Sequence, residues 1–332
     1  MLTLLAHIYG WFVARRNRTY DQGKRPLIRL QVPVISIGNV SAGGSGKTPV
    51  TELVVNLLRS IRRNPAVVAR GYKRRGSGIV VVHDGVRIRT DWTKAGDEPF
   101  MLATALDVPV VVGPHKGDAA VYAAGSIACD VVVVDDGFQH RDLYRDLDIV
   151  LVDTATVADQ RLLPAGRLRE PLTSIGRADV VVLTQPSIDA NAVRAHMRAD
   201  AVLARVSIEK GALTDLATGH TAAMPSRCML LTGIARPERV LATVQAEGTQ
   251  VLDHRVFADH HDYTKAEVAS VIAAAVRQGV PILTTAKDAV KLHAFVDMAV
   301  AASTPIIVVH VHATLDEGAH EFITMITKRI AS

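Results

Sequence analysis

From residue 32 onward the chain alternates short runs of β-branched residues with longer stretches whose apolar positions recur at helical spacing. That alternation is the pattern of a mostly parallel sheet covered by helices. Strands are predicted at 32–37, 66–69, 108–112, 131–135, 149–152, 180–184 and 229–231, then at 250–256, 281–284 and 305–311. Helices are predicted at 47–60, 98–105, 117–128, 237–247, 265–278 and 316–330. Near 186–226 the dense valine runs give way to Ala, Asp and turn residues. A soft boundary is therefore placed there, with an α/β core over 31–190 and a smaller α/β unit over 191–332.

Residues 1–14 break the pattern. They are largely apolar, with Leu2, Leu4, Leu5, Ile8, Tyr9, Trp11, Phe12 and Val13, yet fall short of the ~20 residues that cross a bilayer. Thr3, His7, Gly10 and Ala14 form a narrow small-or-polar stripe at helical spacing. Arg15, Arg16, Arg18, Lys24, Arg25 and Arg29 follow, against one acid, Asp21. An apolar helical face with Trp and Tyr, then arginines, suits a helix lying in a membrane interface beside anionic headgroups. A secretory signal would carry its charge first. The other reading is a helix packed on the protein's own core.

Composition narrows the classes. Of 332 residues, 48% are hydrophobic and 21% charged, which excludes wholesale disorder. Aromatics at 4% argue against stacking platforms for single-stranded nucleic acid. Residues 1–30 hold six of the 38 basic residues and one of the 33 acidic ones, so 31–332 carry 32 of each. The whole net charge of +5 thus sits at the N-terminus, where a nucleic-acid binder would more often spread it over the folded surface. Cys129 and Cys228 are far apart in the chain, without a C-x-x-C spacing, which points to a reducing compartment and away from a disulfide frame or zinc.

Chemistry concentrates in a few segments. Ser41, Ala42, Gly43, Gly44, Ser45, Gly46, Lys47 and Thr48 lie between a predicted strand and a predicted helix, the context a phosphate-binding P-loop requires. There the glycines turn backbone N–H groups toward phosphate oxygens, the lysine reaches the β and γ phosphates, and the Thr hydroxyl can bind magnesium. ATP and Mg2+ are the implied ligands, and the fold class becomes an α/β P-loop NTPase (RecA-like), a mostly parallel sheet with helices on both faces. Ala42 stands where dimerising partition-type ATPases carry an extra lysine. Val131-Val-Val-Val-Asp-Asp136 supplies the partner element, a doubly buried strand ending in carboxylates, so Asp135 or Asp136 would hold the metal directly or through water.

Asp97, within Gly96-Asp-Glu-Pro99, fits equally a helix cap and a carboxylate that accepts the proton of an attacking hydroxyl. In Asp259-His260-His261-Asp262-Tyr263 the adjacent imidazoles should diverge, so one imidazole paired with a carboxylate suits the segment better than a metal held by both; a plain polar loop is the other reading. The basic run 70–75 would hold an anionic substrate or stay solvated. The turn-rich 163–171, with Arg167, Arg169 and Glu170, has no derivable role. Lys287 and Asp288 are expected to pair with each other.

Taken in order, these segments resemble the tetraacyldisaccharide 4'-kinase family of lipid A biosynthesis. The resemblance spans the apolar N-terminal helix, residues 32–48, Arg70-Gly-Tyr72, Gly96–Pro99, Asp135-Asp-Gly-Phe-Gln-His140, 163–171, Phe257-Ala-Asp-His260 and Lys287-Asp288. It implies that Asp97 and His260 form the catalytic pair with Lys47, and that Lys47, Thr48, Asp135 and Asp136 serve ATP and magnesium. It implies an acylated disaccharide lipid acceptor, the inner-membrane surface as docking site on its cytoplasmic face (peripheral or monotopic), and a C-terminal unit closing over the cleft. No nucleic-acid or obligate protein partner is expected. The chain departs from the family in 154–162, which lacks a Phe-Gly-Asn run, at Ala286 and at His115-Lys116; these bear on substrate-loop details. Two other readings compete: a membrane-recruited ATPase switch without an acceptor pocket, and a P-loop kinase for a soluble sugar or cofactor.

Overall fold

The computed structural model describes residues 1–44 and 46–331. Its strands are β1 (Val34–Asn39), β2 (Pro65–Ala69), β3 (Val80–His83), β4 (Val110–Val112), β5 (Val131–Asp135), β6 (Leu147–Val152), β7 (Val180–Leu183), β8 (Val202–Asp215), β9 (Thr221–Ala222), β10 (Arg227–Thr232), β11 (Gln250–Val256), β12 (Ile282–Thr285) and β13 (Ile306–Glu317). They form one continuous sheet in the order β11-β10-β12-β13-β8-β7-β6-β1-β5-β2-β4-β3, with β9 on β8. The stretch from β8 through β7, β6, β1, β5 and β2 to β4 is parallel, and β3 closes that edge antiparallel.

The valine runs dictate this core. β1, β2, β4, β5, β6 and β7 are buried along their whole length, as the near-continuous apolar runs of doubly covered strands require. The Lys47–Ser60 helix shows the complementary logic. Val50, Val54 and Leu58 recur every fourth residue, joined by Thr51 and Val55, and that stripe is buried. Pro49 falls in its first turn, where a missing N–H costs nothing. Chain direction places the C-terminal ends of β1 and β5, and the loops that follow them, on one rim of the sheet, where doubly wound folds bind ligands.

Strands β8 and β13 form a long antiparallel pair, in register from Arg205↔Glu317 to Asp215↔Ile307, with irregularities near Val309/Val311 and Leu315/Glu317. Strand β8 lies inside the segment expected to be turn-rich. Its signal is a two-residue alternation (Ala204, Val206 and Ile208 against Arg205, Ser207 and Glu209), which marks a ribbon with one wet face rather than a valine-dense core strand. Contacts cross the expected 190/191 boundary. Residues 202–205 pair with β7, and the last helix, Ala319–Ile330, returns Phe322, Ile326 and Ile330 to the core formed by β1, β5, β6 and β7. That helix starts three residues later than expected because β13 runs on to Glu317.

Phe322 is fully buried at this return contact. Phe322→Ala should lower the unfolding free energy by roughly 3–5 kcal/mol, seen as a reduced midpoint of cooperative unfolding.

Candidate active site

Strand β1 delivers the chain into the phosphate loop. Ser41 Oγ accepts from Asn39 Nδ2 at 3.3 Å and from Thr156 Oγ1 at 3.0 Å. Gly43 and Gly46 have φ of 105° and 83°, conformations that side chains avoid, and the helix begins at Lys47. Ser45 lies outside the described residues. Ala42, Gly43, Gly44 and Gly46 occupy the loop as expected, and Thr48 is half-buried in the first helical turn. Lys47 Nζ donates to Asn39 Oδ1 at 3.3 Å and stands 3.4 Å from Asp136 Oδ1.

Strand β5 brings its carboxylates to the same place. Asp135 Oδ1 accepts from Thr51 Oγ1 at 3.1 Å. Burial pushes the Asp135 carboxyl up to about 6 against the charge of Lys116, with Glu98 and Asp136 adding to the rise. Burial would also raise Asp136, but Lys47, Lys116 and Arg169 outweigh it and hold that carboxyl well below its ordinary range. Asp136 sits at φ 52°, a left-handed conformation costly for a residue other than glycine. Lys116, 2% exposed, donates at 2.6 Å to the main-chain carbonyls of both Asp135 and Asp136. Further along the rim, burial and then Lys116 push His140 down to about 4.

A second cluster is assembled from segments distant in the chain. Gly96 (φ 89°) packs so closely on Gly71 that a Cβ at position 96 would come within 3.0 Å of the Gly71 Cα, and the Asp97–Leu106 helix starts directly after it. Gly96, not Asp97, is the N-cap of that helix, and no side chain caps it, so the cap expected of Asp97 does not form. Asp97 Oδ1 accepts the Glu98 N–H at 2.9 Å, while Oδ2 lies 2.8 Å from His260 Nδ1 and 3.2 Å from Lys291 Nζ. Burial works to raise this carboxyl, yet the His260 hydrogen bond and the charges of Lys287 and Lys291 prevail and hold it well below the usual carboxylate range. The two imidazoles diverge as the spacing required: His261 Nε2 lies 3.1 Å from Glu267 Oε2 in the cap of the Lys265–Gln278 helix. Tyr72, from the basic run, tilts over His260 at 5.0 Å, and Lys73, Arg75, Trp92 and Asp262 complete a pocket around Asp97 and His260.

The expected Lys287–Asp288 pair does not form. Asp288 turns inward to the Gly233 N–H, Tyr263 Oη and Thr285 Oγ1, while Lys287 crosses to Glu98 Oε1 and Asp259 Oδ1, each at 3.0 Å. Adjacent helical side chains point some 100° apart, so one faces the core and the other the seam. The 163–171 segment proves to be the wall of the phosphate loop. Ala42 N donates to Arg167 O at 2.7 Å, the Arg167 guanidinium donates to Ala42 O at 3.0 Å, and Arg169 pairs with Asp136 at 2.9 Å. Buried Glu170 receives Asn17 Nδ2 at 2.8 Å, Arg16 at 3.2 Å and Arg177 at 2.8 Å. The N-terminal helix, Leu2–Asp21, is thereby tied to this wall, with Tyr9 Oη donating to Arg169 O at 2.9 Å.

Sequence reading did not assign Lys116, Thr51 or Lys291. Lys116 follows a valine strand on the ligand-binding rim, and Lys291 lies one helical turn from Lys287; neither spacing announces a partner 19 or 194 residues away in the chain.

Residues 1–331 match the profile of the family described as tetraacyldisaccharide-1-P 4'-kinase. The chain belongs to that family. Relatives named tetraacyldisaccharide 4'-kinase include those of Chlorobium luteolum, 36% identical over 306 residues (88% of this chain and 86% of the relative), and Anaeromyxobacter sp. strain Fw109-5, 38% identical over 304 residues (88% and 82%). The crystal structure of the "apo" form of LpxK from Aquifex aeolicus in complex with ATP superposes with a TM-score of 0.81 at 28% identity, covering 98% of this chain and 97% of that one. The α/β fold is therefore that of a P-loop kinase, and the alternative of a membrane-recruited ATPase switch is set aside.

One Lys116 ammonium serves the main-chain carbonyls of both Asp135 and Asp136. Lys116→Met should cost at least about 1–3 kcal/mol of unfolding free energy without nucleotide, measured as a lowered thermal midpoint.

Proposed function

We propose that the kinase transfers the γ-phosphate of ATP to the 4'-hydroxyl of a tetraacylated glucosamine disaccharide 1-phosphate. The observation that carries this reading is the 2.8 Å contact between Asp97 and His260, two residues 163 apart in the chain. A P-loop that only hydrolysed ATP would need no such buried carboxylate–imidazole pair.

In this reading residues 41–48 cradle the triphosphate and Lys47 follows the charge that develops on the transferred group. The acceptor oxygen attacks phosphorus as the bond to the β-phosphate bridging oxygen breaks, and the hydroxyl proton passes to the Asp97 carboxylate. Asp97 is a weak base in this setting. That suits a loose transition state, in which the nucleophile keeps its proton until late and the carboxylate chiefly orients it. His260 and Lys291 hold the carboxylate in place. Trp92, Tyr72 and the basic side chains Lys73 and Arg75 give the acceptor a surface with both stacking faces and cations. The second unit closes over the cleft by advancing Lys287, Lys291 and His260 toward the Asp97–Leu106 helix.

Magnesium fits the donors present. Thr48, Asp135 and Asp136 offer hard oxygens, and the buried Asp135 carboxyl, with its raised proton affinity, calls for a nearby cation. No group of three or more His, Cys, Asp or Glu able to hold a metal exists among the described residues, as befits an ion that takes one or two carboxylates and fills its shell with water and phosphate. When bound, it would neutralise charge on the β and γ phosphates.

A multiply acylated acceptor stays in its bilayer, so the enzyme must come to it. No helix among the described residues is long and apolar enough to cross a membrane. The Leu2–Asp21 helix docks through Ala6, Val13 and Asn17, with Gly10 against Leu162, and leaves Leu2, Leu4, Leu5, Ile8, Trp11 and Phe12 exposed. This apolar face, followed by Arg15 and Arg18, is assigned to the cytoplasmic surface of the inner membrane, as a peripheral or monotopic anchor. Tyr9 does not belong to it, since its hydroxyl is spent on the 163–171 wall.

Incubating purified protein with radiolabelled ATP and a membrane-lipid extract should yield a phosphorylated glycolipid. Asp97→Ala should cut turnover by about 100-fold or more with ATP affinity kept, whereas Lys47→Ala should damage both; near-normal turnover of Asp97→Ala would remove the base. Truncating the helix would also strip Glu170 of partners, so the cleaner membrane test is Trp11→Ser with Phe12→Ser. That variant should bind anionic vesicles at least tenfold more weakly while melting at the wild-type temperature.

A further inference from the structure

The helix Ala286–Leu292 carries Lys287 and Lys291 one turn apart, and both ammonium groups reach the seam between the units. Lys291 Nζ contacts Asp97 Oδ2 at 3.2 Å and donates to the His261 carbonyl at 3.0 Å. Lys287 Nζ, with its side chain 14% exposed, meets Glu98 Oε1 and Asp259 Oδ1 at 3.0 Å and His260 Nε2 at 3.3 Å. A lysine ammonium has only donors to offer, so His260 Nε2 must accept. Its proton therefore sits on Nδ1, which donates to Asp97 Oδ2 at 2.8 Å.

The competing states fit badly. With the proton on Nε2, the Nδ1 lone pair would face the Asp97 carboxylate at 2.8 Å, and the nearest carboxylate acceptor for Nε2–H would be Asp259 Oδ2 at 3.7 Å, beyond a hydrogen bond. An imidazolium would set an N–H against the Lys287 ammonium at 3.3 Å. The charged and polar groups around the ring are thus Asp97 and Glu98 from one helix, Lys287 and Lys291 from another, Asp259 and Asp262 from its own loop, and Tyr72 across its face.

We infer that Lys287 is a positioning residue that fixes His260 as the neutral Nδ1–H tautomer and, through it, aims the Asp97 carboxylate at the acceptor hydroxyl. This rests on the proposed role of Asp97 and extends it to a residue that touches neither phosphate nor acceptor. With Nε2 already occupied, the imidazole offers no onward path for the acceptor's proton, which stops on Asp97. The contact also makes the tautomer conditional on the seam. Glu98 comes from the first unit and Asp259 from the second, so Lys287 takes up this position only when both are together.

The test reads the tautomer directly, in the full-length protein at pH 7. Long-range 15N–1H spectra of histidine-labelled protein, with the signal assigned by its loss in His260→Gln, should show a protonated Nδ1 and an unprotonated Nε2 at His260. Protonation of Nε2, alone or together with Nδ1, would overturn the assignment. In Lys287→Met the signal should leave that pattern, and kcat should fall by about 100-fold with KM for ATP within about twofold. Wild-type kcat, or an unchanged His260 spectrum, would refute it. Should Lys287→Met melt too early to assay, the wild-type spectrum still decides. If wild-type protein fails to phosphorylate the glycolipid, the functional reading falls while the tautomer remains measurable, so the two fail separately.

Discussion

The Asp97 carboxylate is 4% exposed, and an ionised carboxyl so removed from water costs several kcal/mol unless charge and hydrogen bonds compensate it. All three cationic or imidazole partners, His260, Lys287 and Lys291, come from the C-terminal part of the chain. Those contacts align the Asp97–Leu106 helix with the segments that carry the three groups. A misplaced seam would leave buried charge unpaired on both sides.

The same constraint repeats at the other two joints of the molecule. Glu170, fully buried, is acceptable only with Asn17, Arg16 and Arg177 around it, which holds the N-terminal helix against the 163–171 wall. Asp136 is compensated by Lys47 from the phosphate loop and Arg169 from that wall, and its main chain by Lys116. A chain of contacts thus runs from the exposed helix through Glu170 and Arg169 to the carboxylate beside the phosphate site. Each link is a short charged contact rather than a broad apolar interface, so each aligns direction as well as distance.

Backbone geometry serves the same end. Asp136 and His260 adopt φ of 52° and 62°, conformations that neither would choose in a regular element. Both follow elements that fix them: Asp136 comes off the fully buried β5, and His260 sits in a turn whose N–H is tied to the Gly233 carbonyl at 3.2 Å. The strain is tolerated because the anchoring segments are rigid, and the side chains reach positions that a relaxed continuation would miss.

How much of this was legible in the chain follows from the range of the interactions involved. Strand and helix positions, the phosphate loop from Ser41 to Thr48, and Asp135-Asp136 at the end of a valine strand are written locally, since burial on two faces and a glycine turn each need only neighbouring residues. Family resemblance added the pairing of Asp97 with His260, which local spacing alone left open. Strand β8 was hidden because its one-sided alternation differs from the valine-dense strands around it. The partners of Lys116, Lys287 and Lys291 could not be read, because a charged side chain in sequence looks the same whether it is solvated or buried. What distinguishes the two is which opposite charge the fold brings within a few ångströms, and only the packing of distant segments decides that.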